Sequence, residues 1–169
     1  MSKLRAGVIG GTGMVGQRFV SLMEKHPWFE LAVIAASPRS AGKTYEEAVG
    51  ARWALDTPMP EQAKHLVIRD ASDVASVVKD VDFVFSAVDM KKEEILALEE
   101  AYARAECPVV SNNSANRWVP DVPMIIPEIN PEHLAVIPFQ QKRLGTKRGF
   151  IAVKSNCSIQ SYVPALHPL

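Results

Sequence analysis

An excess of charge of either sign is missing from this chain: 19 lysines and arginines balance 19 aspartates and glutamates over 169 residues. The balance removes the basic field that nucleic-acid and membrane-surface binders rely on, so neither partner is expected. Cysteine is scarce. Cys107 and Cys157 cannot build a disulfide framework, and with four scattered histidines they give no zinc-ligand spacing, so no metal site is expected. No apolar run approaches the ~20 residues that cross a bilayer, and Met1-Ser2-Lys3-Leu4-Arg5 leads into a short strand without a signal-peptide core. A reducing, cytoplasmic setting is the expectation. No internal repeat stands out, and the 12 prolines form no low-complexity tract. The length fits one domain, or one domain and the beginning of another, and a domain of this size buries roughly 70% of its unfolded surface.

What is present is an alternation of short apolar runs and helix-like runs. Residues 4–9 read as a buried strand. Residues 14–25 follow as a helix, with Val15, Phe19, Leu22 and Met23 on one face. Residues 31–36 form a second strand. Residues 38–64 form a long excursion with one short helix around residues 45–52. Residues 66–68 are a third strand, and Ser72 is the expected cap of a short helix to Val78. Residues 82–88 are a fourth strand. Residues 91–104 form a helix with Ile95, Leu98 and Tyr102 at helical spacing, and Val109-Val110 is a fifth strand. Such alternation predicts a doubly wound, Rossmann-like parallel sheet. After Ser111 the texture turns to Asn, Ser and Pro. Residues 150–153 are one more strand, and a helix opens at Ser155-Asn156-Cys157-Ser158 and runs to about Leu166.

Gly10-Gly11-Thr12-Gly13-Met14-Val15-Gly16 lies between the first strand and the first helix. Gly11, Gly13 and Gly16 have dinucleotide-binding spacing and Gly10 starts the turn. Glycines let the backbone approach a pyrophosphate, which then faces the free amides of the helix start. A solely structural tight turn is the weaker alternative. An NAD-specific domain places an acid at the end of the second strand, near the ribose hydroxyls. Here that strand ends in Ala36-Ser37-Pro38-Arg39-Ser40, with Gly42-Lys43 beyond. Two hydroxyls and a guanidinium suit the 2′-phosphate of NADP; a solvated loop is the alternative.

Cys157 falls where a strand meets a helix start, a place that favours the thiolate and suits a nucleophile forming an acyl intermediate. On this residue alone a buried structural thiol is the commoner reading. Cys107, just before Pro108-Val109-Val110, is assigned to the core.

Taken with residues 36–43, Ser111-Asn112-Asn113-Ser114-Ala115-Asn116-Arg117, Ile126-Pro127-Glu128-Ile129-Asn130 and Ser155-Asn156-Cys157-Ser158, the chain resembles the aspartate-semialdehyde dehydrogenase family, its archaeal and fungal branch most closely. The resemblance runs over essentially the whole chain. It implies that Gly10, Thr12, Gly13, Met14 and Val15 contact the cofactor pyrophosphate. It implies that Ser37, Arg39 and Ser40 hold the 2′-phosphate and that Ser86 and Ala87 line the cofactor groove. Cys157 is the implied nucleophile, Arg117 binds the substrate phosphate, and Asn156 positions the reacting group. The implied reaction, part of aspartate-family amino-acid biosynthesis, is reversible reductive dephosphorylation. Aspartyl phosphate acylates Cys157, phosphate leaves, and NADPH reduces the thioester to L-aspartate 4-semialdehyde.

The resemblance also implies a homo-oligomer. The change of texture after Ser111 divides the chain into an expected NADP-binding domain over residues 1–130 and, over residues 131–169, a crossover and the truncated start of a catalytic domain. In the family, the acid/base histidine and the substrate-gripping residues lie in a second half. His26, His65, His133 and His167 match no such motif, so the chain by itself is expected to be inactive, with apolar surface left exposed. There are three rival readings. N-acetyl-glutamyl-phosphate reductase shares the chemistry but is expected to surround its cysteine differently, and glyceraldehyde-phosphate dehydrogenase is further off because Cys157 is not followed by two threonines. A non-catalytic, regulatory or vestigial NADP-binding protein is the rival of a different class.

Overall fold

Strand pairings within each part of the molecule are parallel, as the alternation of strands and helices requires. The computed structural model describes residues 2–168, which divide into two compact units, one up to Lys91 and one from Lys92. This packing division differs from the functional division expected at 130/131.

The first unit runs β1 (Leu4–Ile9), α1 (Met14–Met23), β2 (Phe29–Ala36), α2 (Tyr45–Val49) with a 3₁₀ turn at Gly50–Arg52, α3 (Glu61–Lys64), β3 (Arg69–Asp70), α4 (Val74–Val78) and β4 (Phe83–Ser86). The strand order β3-β2-β1-β4 is that of a doubly wound, Rossmann-like sheet. The chain moves outward from β1 to β3, then returns to place β4 on the other side of β1. That reversal opens a crevice beyond the carboxyl end of β1, where ligands of such sheets bind. Both β1 and β2 end in four consecutive buried residues, the mark of strands covered on two faces. Val8, Val20, Ile34, Tyr45, Val49 and Ile68 form one core cluster. Phe19 stacks on Phe85 with ring centroids 4.6 Å apart.

Three local expectations are corrected here. The buried face of α1 is Gly16, Gln17, Val20 and Met23, whereas Val15 and Leu22 are 42% and 58% exposed. The reason is steric. A Cβ at Gly16 would run into the Gly10 carbonyl, so α1 packs through that glycine, and the residues one and two turns on follow it inward. The third strand is Arg69–Asp70, paired to Ala35 and Ala36, and the apolar run before it makes only a bridge from Val67 to Thr44. Apolar character marks burial, as for Ile68; the pairing register is set by the neighbouring strand. Finally, α4 is capped by Asp73, whose carboxylate accepts from the Ser76 amide at 3.2 Å, while Ser72 donates to Asp70.

The second unit runs α5 (Lys92–Arg104), β5 (Val109–Ser111), β6 (Met124–Ile125), a 3₁₀ segment Pro131–Val136 leading into α6 (Ile137–Leu144), β7 (Ile151–Lys154) and α7 (Cys157–Leu166), with strand order β5-β7-β6. Neither β6 nor α6 is anticipated by the sequence reading. Buried Gln140 on α6 explains why this segment folds as it does. Its carboxamide donates to the Asp121 and Ile151 carbonyls, both at 2.9 Å, and accepts from the Ile151 amide. One polar side chain thus completes backbone pairing beside β7 that a hydrophobic pattern cannot reveal.

Candidate functional site

The crevice beyond β1 is built by its glycines. Gly10 is left-handed at φ +83, a conformation that disfavours any side chain, and a Cβ there would strike the backbone of Ala87 and Val88. The register sets Ser86 opposite Ile9, and the Ala87 amide donates to the Ile9 carbonyl at 2.8 Å, so Ser86 and Ala87 lie directly against the turn. The Tyr45 hydroxyl donates to the Gly11 carbonyl at 2.8 Å, and burial pushes this phenol's pKa up. Buried Gln17 donates to the Thr12 and Arg52 carbonyls, both at 3.1 Å, and accepts from the Ala54 amide. The turn is therefore held rigid from both sides.

Gly13 differs from these neighbours. Its φ is −78, and a Cβ would meet nothing closer than the Gly10 carbonyl at 3.6 Å. Nothing within the described chain demands a glycine there. What the missing side chain leaves is open access to the start of α1, where Gly13 offers no capping side chain to the first-turn amides. Met14 and Val15, the next two residues, are exposed.

Thr12, Gly13, Ser37, Arg39 and Ser40 come together as the lining of one cleft of about 550 Å³, with Lys43, Arg52, Glu47 and Asp89. The loop after β2 is shaped by the Ser40 and Ala41 amides, which both donate to the Ser37 carbonyl. Arg39 is exposed and makes no side-chain hydrogen bond or ion pair among the described residues. Glu47 is engaged locally: the Thr44 amide and hydroxyl, as a capping box, hold its carboxyl below the usual range. Lys43 and Arg52, absent from the sequence-derived candidates, bring the cleft's cations to three.

A second cluster lies at the β7–α7 junction. Asn156 caps α7 by accepting from the Ser158 amide at 2.9 Å, and Cys157 is the first residue of the helix and exposed. The Lys154 ammonium donates to Cys157 Sγ at 3.1 Å. That hydrogen bond, and the lysine's charge, hold the thiol below its ordinary range, with the more distant Arg117 acting in the same direction. The lowered pKa expected from the helix start thus has a different principal cause. Arg117 donates through Nε to the Lys154 carbonyl at 3.1 Å and through an Nη to the Ser155 carbonyl at 3.3 Å. Arg117, Asn156 and Cys157 are therefore brought to one junction. Ser155 Oγ is buried there with no hydrogen-bond partner among the described residues. Cys107 is buried, as expected.

Lys154 was legible in principle. It continues the in–out alternation of β7 on the less buried face, three residues before the cysteine. Among the described residues, none of the His, Cys, Asp and Glu side chains cluster into a metal site, and no helix is long and apolar enough to cross a membrane.

The family model for the semialdehyde dehydrogenase NAD-binding domain matches residues 5–137. The chain belongs to that family. Similar curated members are the aspartate-semialdehyde dehydrogenases of Aspergillus fumigatus, 44% identical over 93% of this chain and 42% of that one, and of Saccharomyces cerevisiae, 41% identical over 97% and 44%. The solved structure of the Candida albicans aspartate-semialdehyde dehydrogenase with NADP superposes with a TM-score of 0.85 at 37% identity, over 99% of this chain and 46% of that one. A Vibrio cholerae aspartate-semialdehyde dehydrogenase II at 24% identity and TM-score 0.71 shares the fold. This family member spans about half the length of the curated relatives it matches.

Proposed function

We propose that this chain is the cofactor-binding part of an NADP-dependent aspartate-semialdehyde dehydrogenase. The reaction interconverts L-4-aspartyl phosphate and NADPH with L-aspartate 4-semialdehyde, phosphate and NADP+. The observation that carries the reading is the exposed Cys157 thiol, 3.1 Å from the Lys154 ammonium at the start of α7. The names of the similar enzymes support it. A thiolate is the nucleophile such chemistry needs. Sγ attacks the acyl-phosphate carbonyl carbon, the bond to the phosphate oxygen breaks, and phosphate leaves. Arg117 uses two of its five N–H donors on backbone carbonyls, which leaves the others for the phosphate oxygens. Asn156, its oxygen engaged in the cap, positions the reacting group through its amide hydrogens.

In the first unit, Gly10, Thr12, Gly13, Met14 and Val15 would hold the cofactor pyrophosphate, Ser37, Arg39 and Ser40 the 2′-phosphate, and Ser86 and Ala87 the groove wall. The open approach at Gly13 and the unpaired Arg39, with no acid at the end of β2, support this fit. Bound there, the cofactor supplies the hydride. On this reading residues 1–130 are the NADP-binding domain and residues 131–169 begin the catalytic one. Exposed Trp118 and Phe139 support a homo-oligomer, and an exposed free thiol suits the reducing cytoplasm.

Calorimetry with NADP and NAD tests the cofactor assignment. Loss of a charge-assisted phosphate contact costs about 1.5–3 kcal/mol, so Arg39→Ala is expected to weaken NADP about ten- to a hundred-fold and leave NAD nearly unchanged. Equal affinity of the unaltered chain for the two dinucleotides would overturn it.

A further inference from the structure

The Ser111–Arg117 loop is tethered to a carboxylate that the sequence reading passed over. Glu99, on α5, is wholly buried at 0% exposure. Its Oε1 accepts from the Ser111 hydroxyl at 2.6 Å and from the Asn113 carboxamide at 3.0 Å, and its Oε2 accepts from the Asn116 carboxamide at 2.8 Å. The Asn113 amide in turn donates to Ser111 Oγ at 3.0 Å, which closes the network at its β5 end. Asn116 is itself 4% exposed, and the next residue is Arg117. A carboxyl group placed inside a protein is costly unless its oxygens are hydrogen-bonded. Three side-chain donors from one seven-residue stretch, all aimed at one carboxyl, are more than a surface loop needs to stay folded. They fix the direction in which the loop leaves Asn116, and so where the Arg117 guanidinium reaches the Lys154 and Ser155 carbonyls.

We infer that Glu99 is a positioning residue: through Ser111, Asn113 and Asn116 it holds Arg117 at the β7–α7 junction, so that the guanidinium presents its remaining donors to an oxyanion beside Cys157. This inference rests on the assignment of Cys157 and Arg117 made under Proposed function. It explains why the stretch is rich in asparagine and serine: these are short side chains that can donate to a buried acid without a compensating cation. It also assigns the acid on α5, at a position where the helical pattern alone asks for an apolar residue.

The test reads Arg117 from the thiol's side. Cys157 in the 169-residue chain is alkylated with iodoacetate, an anion, and with iodoacetamide, a neutral reagent of similar reach. The ratio of the two rates cancels differences in thiolate content and access, and reports the positive charge near Sγ. Arg117→Met is expected to lower the ratio by about three-fold or more, since a local cation concentrates anions. Glu99→Gln forces Asn116 or the Ser111–Asn113 pair to turn over, and Asn116→Ala removes one donor. Both are expected to lower the ratio by a similar factor, with a cooperative thermal transition retained. Glu99→Gln added to Arg117→Met is expected to change nothing further. If the melting temperature falls in Glu99→Gln and Asn116→Ala but the ratio stays at its original value, Glu99 only packs the loop and the inference is overturned. Should Glu99→Gln fail to fold, Asn116→Ala decides by the same criterion. An unchanged ratio in Arg117→Met overturns the assignment of Arg117 itself, and with it the inference, and this result is distinguishable from failure at Glu99 alone.

Discussion

Cys157 and Lys154 are separated by three positions and connected by a hydrogen bond, and that contact is the first cause of the thiol's lowered pKa. A thiol held low is thiolate over a wider pH range, and the cation that holds it can be removed. The rate of Cys157 alkylation should therefore inflect below the ordinary free-thiol value of about 8.5. Lys154→Met should move the inflection upward and Lys154→Arg should largely keep it. A pH profile of labelling, followed by peptide mass mapping, checks this, and an inflection that Lys154→Met leaves in place would count against it. The same maps should show Cys157 labelled well before Cys107, which is only 3% exposed.

At the scale of the element, the glycine turn separates two kinds of glycine. Gly16→Ala drives a Cβ into the Gly10 carbonyl and should unfold the turn, whereas Gly13→Ala meets nothing closer than 3.6 Å and should cost under about 1 kcal/mol of stability. If Gly13 is kept open for a pyrophosphate, Gly13→Ala should nonetheless weaken NADP binding about ten-fold or more. Thermal scans and calorimetry on the two variants separate these effects, and undiminished binding by Gly13→Ala would remove Gly13 from the site. A second device joins α5 to the segment before β7. Glu106, at φ +62, accepts from the Arg148 amide at 2.6 Å, from Gly149 at 2.9 Å and from Lys147, and these bonds hold its carboxyl below the usual range. A depressed carboxyl contributes stability above its unfolded pKa, ordinarily about 4.3, and loses it as the pH falls through the folded value. Glu106→Gln should thus lower the melting temperature at pH 7, and the difference from the unaltered chain should shrink below about pH 4. A difference independent of pH would mean that the amides do not stabilise the charge.

For the molecule as a whole, the expectation concerns turnover. The 169-residue chain spans 42% and 44% of the two relatives compared above. His26 stacks on Phe29, and His133 hydrogen-bonds to the Met124 backbone. If the acid–base and substrate-gripping residues lie outside these 169 residues, as the resemblance implies, the isolated chain should turn over far below ~1 per second, since general acid–base catalysis alone contributes ~10²–10⁴-fold. The assay follows NADP reduction with L-aspartate semialdehyde and phosphate, with Cys157→Ala as control. Ordinary enzymatic turnover that survives in Cys157→Ala would show that the chemistry is elsewhere.

Much of this was legible in the letters alone, because it rests on local rules. Strand–helix alternation determined the parallel, doubly wound sheet. The turn glycines, the acid-free end of β2 and the cysteine before a helix determined where to look for a dinucleotide and a nucleophile. Other features depend on contacts made in three dimensions, most of them between residues distant in sequence. The buried face of α1 was decided by the close approach of Gly16 to Gly10, and the place of β3 by its pairing to β2. Arg117 meets the Lys154 and Ser155 carbonyls across 37 and 38 positions, and Glu99 meets Ser111, Asn113 and Asn116 across 12 to 17. Glu99 falls on the face of α5 that carries Ile95 and Tyr102, but nothing in the letters says what its carboxyl meets there. Only the packing of α5 against the loop determines that it is inside.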